Sequence, residues 1–215
     1  MAVGDAMTLV ALSATYGSGG RHIGEALAER LAVPFLDRAI PATVALELDV
    51  PLDDAEALDE RIGAGWLERL LAGFGSGEIA APVALPSGVS SAADFRHATE
   101  EILLRQAASG SGVILGRAAA IVLRDDPRVL RARLSGPPER RARQAMALSH
   151  IDHATAQRLQ RQLDYTHATY AKHFYGVSLD DPSLYHVVLD STRIPIEDCV
   201  EILAAVAHAF DASAV

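Results

Sequence analysis

The chain of 215 residues carries one cysteine, Cys199, and one lysine, Lys172. A single thiol excludes an internal disulfide and any cysteine-rich zinc site. No apolar run approaches the ~20 residues needed to cross a bilayer, so no membrane span is expected. The amino-terminal MAVGDAMTLVALSATYG has no basic segment ahead of its apolar stretch. No signal peptide is therefore expected, and a cytoplasmic location is the default expectation. The net charge of −9 speaks against a nucleic acid polymer as partner. Disorder is excluded too, because half of the residues are hydrophobic and only 22% are charged. A chain of this length can bury one large core, and we expect a single domain over 1–215.

The charge that is present is unevenly placed. Residues 47–60 are acidic (Glu47, Asp49, Asp53, Asp54, Glu56, Asp59, Glu60), whereas 117–143 hold Arg117, Arg124, Arg128, Arg131, Arg133, Arg140, Arg141 and Arg143. A local arginine block inside an acidic protein suits a small molecule that bears phosphate.

Hydrophobic patterning gives the order of elements. Thr8–Thr15 is a short apolar run that reads as a buried strand. After the turn Tyr16-Gly17-Ser18-Gly19-Gly20, the residues Ile23, Ala26, Leu27 and Leu31 recur at helical spacing. Pro34 ends that helix, and Pro34-Phe35-Leu36-Asp37 reads as a second short strand. Residues 39–110 read as mostly helical, with apolar stripes at 58–71 and 95–108 that offer a face for a homodimer. Val113–Leu115, Val129–Leu134 and Tyr185–Asp190 are further strands. A helix rich in arginine follows Pro138, 150–176 is helical and polar, and Pro195 opens a last helix. Five apolar strands separated by helices predict a parallel sheet covered on both faces, with right-handed crossovers.

Glycines between a strand and a helix allow positive φ and close approach of the backbone to a phosphate. Amides then point inward, and the helix N-terminus adds positive potential. On the pattern G-x-x-x-x-G-K-[ST], Thr15 stands for the first glycine, Gly20 for the second, Arg21 for the lysine and His22 for the hydroxyl residue. Arginine can still pair with phosphate oxygens. A dinucleotide-binding turn is the rival reading: Asp37 lies about 20 residues beyond the glycines, where a ribose-binding acid sits. G-x-G-x-x-G, however, requires glycine where His22 stands.

Several segments in order resemble the cytidylate-kinase-like family. Ser13-Ala14-Thr15-Tyr16-Gly17-Ser18-Gly19-Gly20-Arg21-His22-Ile23-Gly24 resembles its S-R-x-Y-G-S-G-G-R-x-I-G opening. Phe35-Leu36-Asp37-Arg38 resembles its Y-x-D-R, and Val113 to Ala119 its V-I-V-G-R-x-A. Leu130 to Arg143 resembles the strand and arginine helix that precede the lid. Asp164 to Tyr170 resembles the D-x-x-R-x-x-Y of the lid end, with His167 in place of the arginine, and Asp190-Ser191-Thr192 resembles the close of the last strand. The resemblance implies a three-layer P-loop NTPase fold with strand order like 2-3-1-4-5, an acceptor-binding insertion at 41–110 and a helical lid at 138–176.

By that resemblance Gly17, Ser18, Gly19, Gly20, Arg21 and His22 cradle the phosphates of ATP. Arg21, Arg140, Arg143 and Asp37 act in transfer, and Asp37, Arg38, Arg117, Asp164 and His167 meet the acceptor. Phosphoryl transfer is mostly positioning and charge neutralisation, so an arginine-rich surround fits it. ATP and magnesium are expected by the same route. His150 and His153 flank Asp152 at helical spacing without a third ligand, and we read them as surface residues and predict no metal site. Three functions stay open. The first is ATP-dependent phosphorylation of a nucleoside monophosphate or a similar small acceptor. The second is a regulator that binds nucleotide without transferring phosphate, and the third an NAD(P)-linked oxidoreductase.

Overall fold

The computed structural model describes residues 9–37, 100, 101, 103–108, 110–116 and 118–213. Arg38, Arg117, the side chain of Asp37 and most of 41–110 lie outside the described residues, including the stripe at 58–71. Strand β1 is Leu9–Ala14, helix α1 Gly20–Leu31, and strand β2 Phe35–Asp37. After residues 103–108, which are helical, come β3 (Gly112–Leu115), a short α2 (Ala119–Val122) and β4 (Val129–Ser135). The chain continues through α3 (Pro138–Ser149), α4 (His153–Tyr175), a 3-10 turn at Pro182–Leu184, β5 (Val187–Asp190) and α5 (Ile196–Ser213).

All five strands are parallel, in the order β2-β3-β1-β4-β5. This is the order expected of a P-loop fold. It also corrects the dinucleotide reading. In a dinucleotide-binding sheet β1 and β2 are neighbours; here β3 separates them, which carries Asp37 two strand spacings, about 10 Å, from β1.

Alternate residues of β1 feed two cores, as a strand buried on both faces requires. Val10 and Leu12 join Ile23 and Leu27 of α1 and Cys199 and Leu203 of α5 on one face. Leu9 and Ala11 join Ala119, Leu123 and Tyr170 on the other. Ile23 and Leu27 are fully buried one helical turn apart, which is worth about 1.5–3 kcal/mol each. Tyr170 meets Phe174 edge to face at 4.8 Å, so the carboxyl half of α4 belongs to the core beneath the sheet. Local signals set the helix ends. Pro138 starts α3, Asp152 caps α4 by accepting from Thr155 N at 2.8 Å, and Gly176 ends it with φ of 68°.

Where β4 and β5 meet, His186 exchanges two bonds with Arg131. Its backbone N–H donates to Arg131 O at 2.8 Å, and its Nδ1 accepts from Arg131 N at 3.0 Å. Burial, and then the Arg131 charge, lower the pKa of this imidazole from 6.5. The unfolded chain takes up that proton near pH 6.5 and the folded chain only at lower pH. Stability is therefore lost as pH falls through that window. Thermal melts at stepped pH should show this loss below about 6.5, and His186→Asn, which still offers an acceptor, should flatten the slope.

Candidate active site

The phosphate-loop candidate is the connection between β1 and α1. Gly17 and Gly19 have φ of 77° and 72°, a region closed to most side chains. Both the amide and the hydroxyl of Ser18 donate to Thr15 O, at 3.1 and 2.7 Å, and fold the turn on itself. Helical bonding begins with Ile23 N donating to Gly19 O at 3.0 Å. The amides of Gly20, Arg21 and His22 thus precede any intrahelical acceptor. No side chain caps this end and no acidic residue stands in the first turn, so the positive pole of α1 is left uncompensated by the helix itself. Such an end suits an anion.

Three side chains far away in sequence grip the turn. Arg141 of α3 donates through Nη1 to Tyr16 O at 2.7 Å and through Nε to Gly136 O at 3.0 Å. The same Nη1 lies 2.7 Å from Asp164 Oδ2 of α4, while Asp164 Oδ1 accepts from Tyr16 N at 3.2 Å. One ion pair therefore ties the β1–α1 turn, the β4–α3 turn and α4 together. Its arginine side chain is only 8% exposed and its aspartate 28%. On the other flank, Ser191 Oγ donates to Ser18 O at 2.7 Å in a buried contact. Ala142 and Ala145 of α3 pack with Ala156 and Tyr16, so small side chains let α3 approach the turn closely.

The residues singled out from sequence fall into distinct places. Gly17, Ser18, Gly19 and Gly20 form the turn itself. Arg21 lies along α1, with Nε bonded to Glu25 Oε1 at 2.9 Å, and His22 is exposed. Arg140 is held at the end of β5: Nε donates to Thr192 Oγ1 at 3.0 Å and Nη2 pairs with Asp190. The Thr192 hydroxyl, and then Arg140, hold the Asp190 carboxyl below the usual carboxylate range. Arg143 is exposed and reaches only back to Glu139 O on its own helix, at 3.4 Å. Asp164 stands at the turn. His167 is half-buried three residues further along α4. Asp37 ends β2, at the same sheet edge as the turn. The structure thus brings Asp164 to the glycine turn, sets Arg140 beside it on the β5 side and leaves Arg143 in solvent. Of the histidine group, His150 is the residue that ends α3, and His153 opens α4 facing Glu139 at 3.2 Å.

Three contributors escaped the sequence reading: Arg141, Ser191 and Gln144. The Gln144 amide nitrogen is buried with no hydrogen-bond partner among the described residues, and a methyl group added at Gly19 would meet it at 2.8 Å. It is one further N–H donor at the turn. Alanine spacing on α3 carried a signal for Arg141, which shares a face with Ala142 and Ala145; Ser191 had none.

His22, an imidazole in the place of a hydroxyl, is exposed, and β3 gives way to Gly116 without a carboxylate. Among the described residues no three His, Cys, Asp or Glu side chains form a metal cluster. The side chain of Asp37 lies outside the described residues, and no step below runs through a metal ion.

Residues 9–193 match the cytidylate kinase-like family. A crystal structure of an uncharacterized protein from Eubacterium ventriosum is similar over 93% of this chain and 98% of that one, at 17% identity and a TM-score of 0.63. At that identity the likeness is one of fold. Shikimate kinase from Acinetobacter baumannii, in complex with shikimate, aligns over 94% of this chain and 95% of that one, with 14% identity and a TM-score of 0.46. Among curated proteins none matches. No described helix is long and apolar enough to cross a membrane.

Proposed function

The chain belongs to the cytidylate kinase-like family, and from that premise we propose that it binds the phosphates of ATP on residues 17–21 and passes one to a small acceptor, a nucleoside monophosphate or a similar molecule. One observation carries the reading. A strand, a turn with two glycines at positive φ and an uncapped helix follow one another at the carboxyl edge of a parallel sheet. Backbone amides there neutralise charge without side-chain reorganisation, which is what a largely dissociative phosphoryl transfer asks of a protein. Arg140, held by Thr192 and Asp190 at the end of β5, would have to exchange its bond to Asp190 for one to the ligand in order to meet a phosphate.

A second reading, binding without transfer, is favoured by Arg21. Its Nε is engaged by Glu25, and the adjacent His22 faces solvent. A coupled assay of ADP release across a panel of nucleoside monophosphates and small hydroxyl acceptors separates the two. Turnover with any acceptor supports transfer. Calorimetric binding of ATP or ADP with no turnover supports the second reading, and absence of both binding and turnover removes both.

A further inference from the structure

Peptide geometry links the carbonyls of the turn to its amides. In a trans peptide the C=O and the following N–H point in opposite directions. Fixing the Tyr16 carbonyl therefore fixes the Gly17 N–H, and fixing the Ser18 carbonyl fixes the Gly19 N–H. Arg141 Nη1 holds the first carbonyl at 2.7 Å, and Ser191 Oγ holds the second at 2.7 Å. Both glycines sit at positive φ, where with no Cβ in the way their flanking peptides would otherwise rotate readily. Among the described residues neither amide donates to any group. Arg141 is itself fixed, by Asp164 on one side and Gly136 O on the other.

We infer that Arg141 and Ser191 are positioning residues that aim the Gly17 and Gly19 amides at a bound phosphate, each by holding the carbonyl of the preceding residue. The inference rests on the reading of the turn as an anion seat. Neither side chain touches the ligand. Their carbonyl grip covers one side of the turn, so the packing of α3 and of the β5–α5 connection leaves the opposite, N–H side to the anion. The job of Arg141 differs from that of Arg140, its neighbour in sequence, which pairs with Asp190 and Thr192 at the end of β5.

Amide-resolved NMR on the 15N-labelled 215-residue chain tests this, with inorganic pyrophosphate as probe and thermal melts as a check on folding. In the parent protein pyrophosphate should shift both the Gly17 and Gly19 amide signals. Ser191→Ala should still fold, melting a few degrees below the parent (about 2–10 °C), lose the Gly19 response, keep the Gly17 response and weaken pyrophosphate by about 3- to 10-fold, the equivalent of one hydrogen bond. Arg141→Gln should lose the Gly17 response and keep that of Gly19; if it does not fold, the Ser191→Ala result decides alone. Equal affinity and an unchanged Gly19 response in Ser191→Ala would overturn the inference while leaving the anion seat intact. No response of either glycine in the parent protein, and no calorimetric heat with ATP, would instead overturn the reading of the turn on which it rests.

Discussion

Gly17→Ala should cost about 2–5 kcal/mol, lower the melting temperature by about 5–20 °C and abolish nucleotide binding. Two costs combine. The φ of 77° disfavours any L side chain by about 1–2 kcal/mol. The added methyl would then lie 2.8 Å from the Arg141 carbonyl carbon and closer still to its oxygen, and this is helix backbone, which cannot rotate aside. Relief requires moving α3 off the turn, which breaks the Arg141 bond to Tyr16 O. Gly176→Ala is the matched control. Its φ is 68°, but a methyl there meets nothing within 4 Å, so only the conformational cost of about 1 kcal/mol remains. Melting curves of the two variants side by side check the claim. Equal losses would mean that α3 does not press on Gly17.

The second large effect belongs to Arg141. Arg141→Met should lower stability by about 2–4 kcal/mol, somewhat less than for a fully buried pair because Asp164 is 28% exposed. The substitution takes the arginine away from the Asp164 carboxylate and leaves Tyr16 O and Gly136 O without that donor. Denaturant unfolding measures it. Arg143→Ala, two positions along the same helix, removes an exposed side chain and should stay within about 0.5 kcal/mol. Arg30→Ala, which breaks an exposed pair with Glu201, should leave the unfolding midpoint close to the parent's. A series in which all three arginines cost the same would contradict the role given to Arg141.

These contrasts also explain how far the residues could be read in advance. The strands were legible because buried parallel strands are short apolar runs between turn residues, and each of the five appears within two residues of its expected bounds. The glycine turn was legible because positive φ leaves glycine as its residue. Strand order came from the resemblance, since local pattern carries no information about which strand is neighbour to which. The arginines were harder. The resemblance named Arg140 and Arg143 and gave no part to Arg141; successive helical residues differ by about 100° in direction, and Arg141 turns toward Tyr16. Asp164 reaches Tyr16 across 148 positions and Ser191 reaches Ser18 across 173, separations at which no local periodicity speaks. Long-range hydrogen bonds to backbone are the part of the site that sequence patterning leaves dark.

A crystal of the 215-residue chain grown with a non-hydrolysable ATP analogue puts the central claim to its most direct test. The account predicts phosphate oxygens within hydrogen-bond distance of the Gly17, Gly19 and Gly20 amides, with Arg141 still on Tyr16 O and Ser191 still on Ser18 O. Nucleotide bound elsewhere, with those amides turned to other protein groups, would contradict it.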